Sequence, residues 1–338
     1  MDATTIGIDL AKNVFQIHAA DAAGKTAFTK RLSRQHFLAF FANLNPCLIG
    51  MEVCGSANYW ARQLQQFGHD VRQISPQFVK PYVRSNKNDY NDAQAICEAV
   101  TRPNMRFVPS KSIEQQDLQA LHRIRMRLVR DRTALVNQTR GLLREYGIFL
   151  PLGIHSFREQ LPQVLEDAEN LLTPLTREIM ADQAQYLREL DQRITAYDRR
   201  INLCFRRSEV CQRLATIGGV GPIVATALIA AIGDIRYFKN GRHLAAWLGL
   251  VPRQHSSGDK PRLLGISKRG ETYLRTLLIH GARSVVRRCD ARDDALARWV
   301  RSIKQRRGFN RACVALANKN ARIIWALMAH DETYRATA

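Results

Sequence analysis

The chain is poor in the features that would tie it to a membrane, a secretory route or a nucleotide-driven cycle. No apolar run approaches the ~18 residues that a bilayer-spanning helix needs, and the amino end carries an acid at Asp2 and no apolar signal core. The seven cysteines, at 47, 54, 97, 204, 211, 289 and 313, include no C-x-x-C pair. That spacing argues against a zinc ribbon or a disulfide scaffold and fits a reducing cytosol. No G-x-x-x-x-G-K-[ST] phosphate loop is present. Acids are scarce: 30 Asp and Glu face 51 Lys and Arg, a net charge of +21. The expectation is a soluble intracellular protein whose partner is a polyanion.

What is present suffices for real cores. The chain has 338 residues, 46% of them apolar, which predicts two or three domains and argues against wholesale disorder. The first strand reads Thr5-Ile6-Gly7-Ile8-Asp9-Leu10-Ala11-Lys12, a short apolar run holding one carboxylate. A buried unpaired charge there would cost several kcal/mol, so Asp9 needs a cation or a hydrogen-bond network, unless it only caps a turn. Two further β-like runs, 14–18 and 26–28, are joined through Asp21 and Gly24 and predict an antiparallel meander. Phe37, Leu38, Phe40, Phe41 and Leu44 follow at helical spacing, with Ser33 as the expected cap. A buried strand over 47–53 carries Glu52 near its end, a helix runs through Trp60, Leu64 and Phe67, and 71–74 is another strand. This order is that of an α/β domain with a mixed sheet.

The next acids stand at the start of a helix that runs on through Ala99, capped by Asn88 or Asn91. Asp89 and Asp92 are three apart and share a face of its first turn, where they would also suit the helix dipole. One acid on the first strand, one on a later buried strand and two opening a helix resemble the layout of RNase H-like nucleases. The match is to the Holliday-junction-resolvase branch with its Asp-Glu-Asp-Asp set. Four converging carboxylates repel one another unless a hard divalent ion sits among them, and Mg²⁺ or Mn²⁺ takes oxygen ligands of this kind.

From 112 to 140 the chain has neither proline nor glycine, and Leu121, Leu128, Leu135 and Leu142 recur every seven residues, with Ile124, Val136 and Leu143 beside them, in a coiled-coil-like seam. Seven arginines lie between Arg123 and Arg144, with Asp131 the sole acid in that interval. A second helix is expected over 182–205, carrying Leu187, Leu190, Ile194, Tyr197 and Ile201, with Pro151, Pro162 and Pro174 punctuating the connection. The pair reads as an intramolecular hairpin or a dimerising stalk. The arginine excess favours a face turned to nucleic acid, since each phosphate neutralised releases counterions.

In the last third, Gly218-Gly219-Val220-Gly221-Pro222 falls between two helical runs and resembles a helix-hairpin-helix turn, in which Gly219 and Gly221 would let backbone N–H groups approach a phosphate. A loop opened by Pro252 then presents Ser256-Ser257-Gly258 beside Arg253, Lys260, Lys268, Arg269 and Arg275. The tail alternates Arg292, Arg298, Arg301, Lys304, Arg306, Arg307, Arg311, Lys319 and Arg322 with apolar positions, predicting amphipathic helix broken at Gly308.

The four-acid amino-terminal domain, the helical middle and the Gly-Leu-x-Pro-Arg…Ser-Gly…Ser-Lys-Arg-Gly…Leu-Arg segment together resemble the insertion-sequence "one-ten" transposases. These are DEDD recombinases guided by a bridge RNA, and the "eleven-eleven" group is closely related. The resemblance covers about residues 4 to 330 and implies three regions: a RuvC-like catalytic domain (1–108), a coiled-coil linker or oligomerisation region (109–208), and a mostly helical transposase domain (209–338). It implies that Asp9, Glu52, Asp89 and Asp92 hold Mg²⁺ or Mn²⁺ and that Ser257, directly before the glycine, is the nucleophile, with Ser256 as the alternative. It further implies donor and target DNA, a structured non-coding guide RNA, a dimer of dimers and a bacterial cytosolic, nucleoid-associated location, with no membrane partner. A metal-dependent hydrolytic nuclease or junction resolvase, with Ser257 structural, is one competing reading. An architectural nucleic-acid-binding protein is the other.

Overall fold

Two parallel strands carry a glycine near their middle, and one helix comes down on both. The computed structural model describes residues 3–84, 86, 88–258 and 260–334, so Asp2 lies outside the described residues. The chain divides into two units, residues 1–113 and 114–338. The helical middle and the carboxy-terminal segment, expected as separate regions, therefore fall in one unit.

In the first unit, β1 (Thr5–Leu10), β2 (Val14–Ala20) and β3 (Thr26–Ser33) form the expected antiparallel meander. The β2–β3 turn is set by Asp21, whose carboxylate accepts from the Ala23 and Lys25 N–H groups, and by Gly24 at φ +78°. After α1 (Phe37–Ala42), β4 (Leu48–Glu52) joins β1 in parallel; after α2 (Ala57–Gln66), β5 (Asp70–Ile74) joins β4 in parallel. Then come α3 (Pro76–Val79), α4 (Asp89–Val100) and β6 (Phe107–Val108), a short edge strand antiparallel to β5 that had no sequence signal. The sheet order is β3-β2-β1-β4-β5-β6, the mixed sheet expected. Ser33 does not cap α1: its N-cap is His36, and Ser33 Oγ instead bonds the His36 ring at 2.8 Å.

Strand alternation sorts the two faces. Ile6, Ile8, Ile49 and Met51 pack with Phe37, Phe41, Trp60 and Leu64 of α1 and α2. The intervening Gly7 and Gly50 face α4. A Cβ on Gly7 would lie 2.2 Å from the Ala93 carbonyl oxygen, and one on Gly50 would lie 2.8 Å from Val100 Cβ. Both positions must be glycine for α4 to seat at this depth.

The second unit opens with α5 (Ile113–Arg144), α6 (Ile154–Glu166) and α7 (Pro174–Arg206). α7 starts eight residues before the expected 182, because Thr173 caps it and Pro174 sits in its first turn, where a missing N–H costs nothing. α6 was not expected; Pro162 lies inside it. α5 and α7 run antiparallel. Arg125 pairs with Asp198 and Arg132 with Asp191, so each seven-residue step along one helix meets seven in the other direction. Leu128, Leu135, Leu143, Phe157, Met180, Leu187 and Ile194 form the shared core. Each large side chain buried in the seam contributes about 1.5–3 kcal/mol, and the partly buried ion pairs fix the register of the two helices. Of the heptad read from α5, Leu128 and Leu135 are buried but Leu142 is 43% exposed, and Leu143 beside it takes the buried position. A straight helix repeats every 3.6 residues and drifts off a seven-residue stripe.

The remainder is α8 (Glu209–Leu214), α9 (Pro222–Ile232), α10 (Gly241–Trp247), the hairpin strands β7 (Pro252–Gln254) and β8 (Leu263–Ile266), α11 (Thr272–Arg287), α12 (Ala295–Arg307) and α13 (Phe309–His330). Leu228, Leu244, Leu278, Leu316 and Ile324 centre its core. Among the described residues no helix is long and apolar enough to cross a membrane.

Candidate active site

The last recorded pair in the β1–β4 register is Ile8 with Met51, so Asp9 and Glu52 are the next residues along neighbouring parallel strands. Asp9 shares its face with Gly7, and Glu52 shares its face with Gly50; both belong to the α4 side. α4 runs against β1. Cys97 Sγ reaches the Thr5 carbonyl at 3.7 Å, Ala93 lies over Gly7, and Asp89 is one turn further toward the Asp9 end. Asp92 precedes Ile96 by one turn in the same way, and Ile96 packs on Gly50. Asn88 fixes the start of the helix, its side-chain oxygen accepting from the Asn91 N–H at 2.8 Å.

Topology thus puts the elements bearing Asp9, Glu52, Asp89 and Asp92 at one end of the sheet. Asp9, Glu52 and Asp92 are half-buried and Asp89 is exposed. An all-carboxylate donor set is what Mg²⁺ or Mn²⁺ prefers, so the residue types fit such an ion. Among the described residues, however, no three His, Cys, Asp or Glu side chains are gathered into a group that would hold one. The buried cysteines are poor nucleophiles, since burial pushes the Cys47 and Cys97 thiols up to about 11.

Ser257 lies in the other unit, at the tip of the β7–β8 hairpin. The hairpin is held at its base by backbone contact. Gly249 (φ +72°) and Gly270 (φ +85°) lie against the chain on the other side of the hairpin's base, where a Cβ would stand 2.2 Å from the Arg269 carbonyl oxygen and 1.8 Å from the carbonyl oxygen of Trp247 at the end of α10, respectively. The Ser267 N–H donates to the Val251 carbonyl at 2.8 Å and the Lys268 N–H to Gly249 at 3.1 Å. At the tip the two serines differ. Ser256 Oγ accepts from the Arg262 N–H at 3.0 Å and from Gln254 Nε2 at 3.1 Å. Among the described residues no hydrogen bond is recorded to Ser257 Oγ, and Gly258 follows at φ +57°.

Arg253, Lys260, Lys268 and Arg269 are exposed on this hairpin and its return. Arg275, expected with them, is not: only 8% exposed, its guanidinium donates to the Leu248 carbonyl at 3.2 Å, the Arg269 carbonyl at 3.3 Å and Thr272 Oγ1 at 3.1 Å. It ties both ends of the hairpin to α11 and is a structural residue. Gly219 is also accounted for by packing. It has φ +89°, and a Cβ there would lie 2.7 Å from the Gly281 carbonyl oxygen of α11, so the close approach it permits is to a helix. Gly221 has open space around it and precedes α9 as its N-cap. Of the tail cations, Arg298 and Arg301 pair with Asp293 and Lys304 with Asp290. No spacing rule announced the Arg275 tie or the paired glycines 249 and 270, because both depend on contacts between residues some twenty positions apart.

Two family models match the chain: a DEDD-type IS110 transposase over residues 6–148, and the transposase IS116/IS110/IS902 family over residues 211–298. A probable family 20 transposase of Pseudomonas aeruginosa is 50% identical over 336 residues, covering 99% of each chain. The transposase for insertion sequence element IS1111A of Coxiella burnetii is 49% identical over 337 residues, covering 100% of this chain and 93% of its own. A pilin gene-inverting protein of Moraxella bovis is 25% identical over 295 residues, covering 82% and 81%. The acid-bearing end of the sheet and the serine hairpin fall one in each matched region, and the chain belongs to the IS110/IS116 family of insertion-sequence DEDD transposases.

Proposed function

We propose that this transposase cuts and rejoins DNA through a covalent serine intermediate, with a structured RNA choosing the sites. Family membership implies DNA strand cleavage and transfer; the covalent route is the finer reading. What supports it is the contrast at the hairpin tip: Ser256 spends its hydroxyl on the turn, whereas Ser257 stands exposed, bridged to Lys260 across the turn. Ser257 Oγ attacks a backbone phosphorus, an Oγ–P bond forms, and the bond to the leaving sugar oxygen breaks. The serine proton passes to water and the leaving oxygen takes one up. Attack on the phosphoserine by another strand's hydroxyl reverses these steps, so the phosphodiester energy is retained and no nucleotide hydrolysis is required.

Asp9, Glu52, Asp89 and Asp92 are the residues that would hold a divalent ion. When bound, such an ion supplies charge neutralisation at the scissile phosphate and favours ionisation of the attacking hydroxyl. Arg253 and Lys260 hold the phosphate backbone near the serine, Lys268 and Arg269 hold it toward the base of the hairpin, and Gly221 offers an open helix start for a further phosphate. The net charge of +21 accommodates both DNA and a guide RNA. Acids and serine lie in different units, and a composite site shared between copies of the chain in a dimer of dimers completes the reading.

A denaturing gel tests the chemistry. Protein covalently attached to cleaved DNA, absent in Ser257→Ala, is the expected result; free ends with no adduct mean hydrolysis and overturn it. Mixing Asp9→Ala with Ser257→Ala protein tests the composite site, and failure to restore recombination removes it. RNA sequenced from the purified protein tests guidance, with a structured RNA encoded beside the gene expected.

A further inference from the structure

The serine hairpin forms one wall of a groove of about 1260 Å³, closed on its other sides by the start of α10 and by α12 and α13. Its volume exceeds the ~300–1,000 Å³ usual for a small-molecule site, which favours a segment of polymer. Arg242, Arg311, Lys319 and Arg322 line it, and among the described lining residues none is acidic. Whereas Arg298, Arg301 and Lys304 of α12 are paired with aspartates, no ion pair is recorded among the described residues for Arg242, Arg311 or Arg322, all exposed. Two indoles line the same groove, Trp299 and Trp325. Lys319 Nζ lies over the Trp299 ring, 4.7 Å from its centroid, a flexible cover that an incoming base would displace toward its own phosphate, and the Trp325 N–H is held by the Phe238 carbonyl at 2.8 Å, which fixes that ring.

We propose that this groove binds an unpaired nucleotide strand, with base faces on the indoles and phosphates on the arginines. The charge selects a polyanion. The indoles select exposed bases, since a duplex keeps its base faces stacked and offers only backbone and groove edges. The inference deepens the reading above: a strand seated against β8 would lie beside the hairpin that carries Ser257. DNA near the cut and guide RNA share this chemistry.

The test uses the full-length protein and oligonucleotides of about 12 nucleotides, as single-stranded DNA, single-stranded RNA and duplex, with polyphosphate as an anion lacking bases. Trp299→Ala is expected to weaken single-strand binding about tenfold and to leave polyphosphate binding within about twofold, while Trp299→Phe restores it. Because Trp299 is half-buried, a second variant on exposed residues, Arg311→Ser/Arg322→Ser, guards against misfolding and should weaken both ligands. The tighter of the DNA and RNA arms names the strand. Unchanged single-strand affinity in both variants, equal loss of polyphosphate binding in Trp299→Ala, or a duplex preference that survives Trp299→Ala would overturn the proposal. The covalent-adduct assay on protein that retains Ser257 separates the two readings: single-strand binding that depends on Trp299 with no adduct formed leaves the groove standing and removes the serine route, and an adduct with single-strand binding indifferent to Trp299 removes the groove alone.

Discussion

The acid-bearing end of the sheet and the serine hairpin are built on opposite principles. Asp9 and Glu52 lie at or next to the ends of strands whose central residues are buried, and α4 is pressed onto those strands so closely that Gly7 has no room for a methyl group. The hairpin has strands of three and four residues, almost wholly exposed, and is held where it enters and leaves the helical core. On the function proposed above, carboxylates that share an ion need fixed spacing, which a packed sheet end provides, and a nucleophile that joins and leaves DNA strands gains from a support that can yield without disturbing the core beneath it.

That contrast can be broken or sharpened experimentally. The largest expected effect is chemical: Ser257→Ala and Asp9→Ala should each reduce strand cleavage by about a thousandfold or more, measured on labelled DNA, with melting temperature unchanged for Ser257→Ala. Next, Gly7→Val should cost about 3 kcal/mol or more through collision with the Ala93 carbonyl, seen as early unfolding of the first unit; a tolerated valine would mean that α4 can lift. Third, the anchorage of the hairpin's exit helix should be acid-sensitive. His122 is buried, bonded to Tyr273 of α11 at 3.0 Å and Thr226 of α9 at 2.9 Å, and burial pushes its pKa down to about 4. The unfolded chain takes up a proton below about 6.5 and the folded one does not until about 4, so stability falls by about 3 kcal/mol as pH drops through that window. His122→Gln should flatten the dependence in urea titrations across pH; burial lowers His18 in the first unit in the same direction.

Smaller still, Arg275→Ala should destabilise by about 2 kcal/mol and impair cleavage, and Arg275→Lys should not rescue it, because a single ammonium cannot reproduce the guanidinium's spread of donors. The smallest effect is expected for Ser256→Ala, under about 1 kcal/mol on an exposed turn, with the covalent adduct retained. Loss of the adduct there would instead make Ser256 the attacking group.

Much of the first unit was legible because its signals are local. Short apolar runs marked the strands, Asn88 or Asn91 marked the start of α4, and Asp21 with Gly24 marked the first turn. β6 escaped because two residues carry no alternation, and Ser33 misled because an N-cap side chain satisfies several geometric conditions that residue type alone cannot test. In the second unit, α6 hid behind Pro162, a residue that reads as a break. The buried face of α5 slid from Leu142 to Leu143 because the true helical repeat outruns a seven-residue count. Of the candidate site, the acids and serines followed from motif and resemblance. Arg275 did not: an arginine in a basic stretch looks like its neighbours until the carbonyls it holds are known.

The closure of the hairpin at Gly249 and Gly270 has a practical corollary. Because main-chain atoms meet main-chain atoms there, the join is indifferent to what the distal residues spell. Descendants could therefore lengthen, shorten or recolour the finger between those two points while the palm beneath keeps its shape, and an engineer could splice a foreign loop at the same two knuckles.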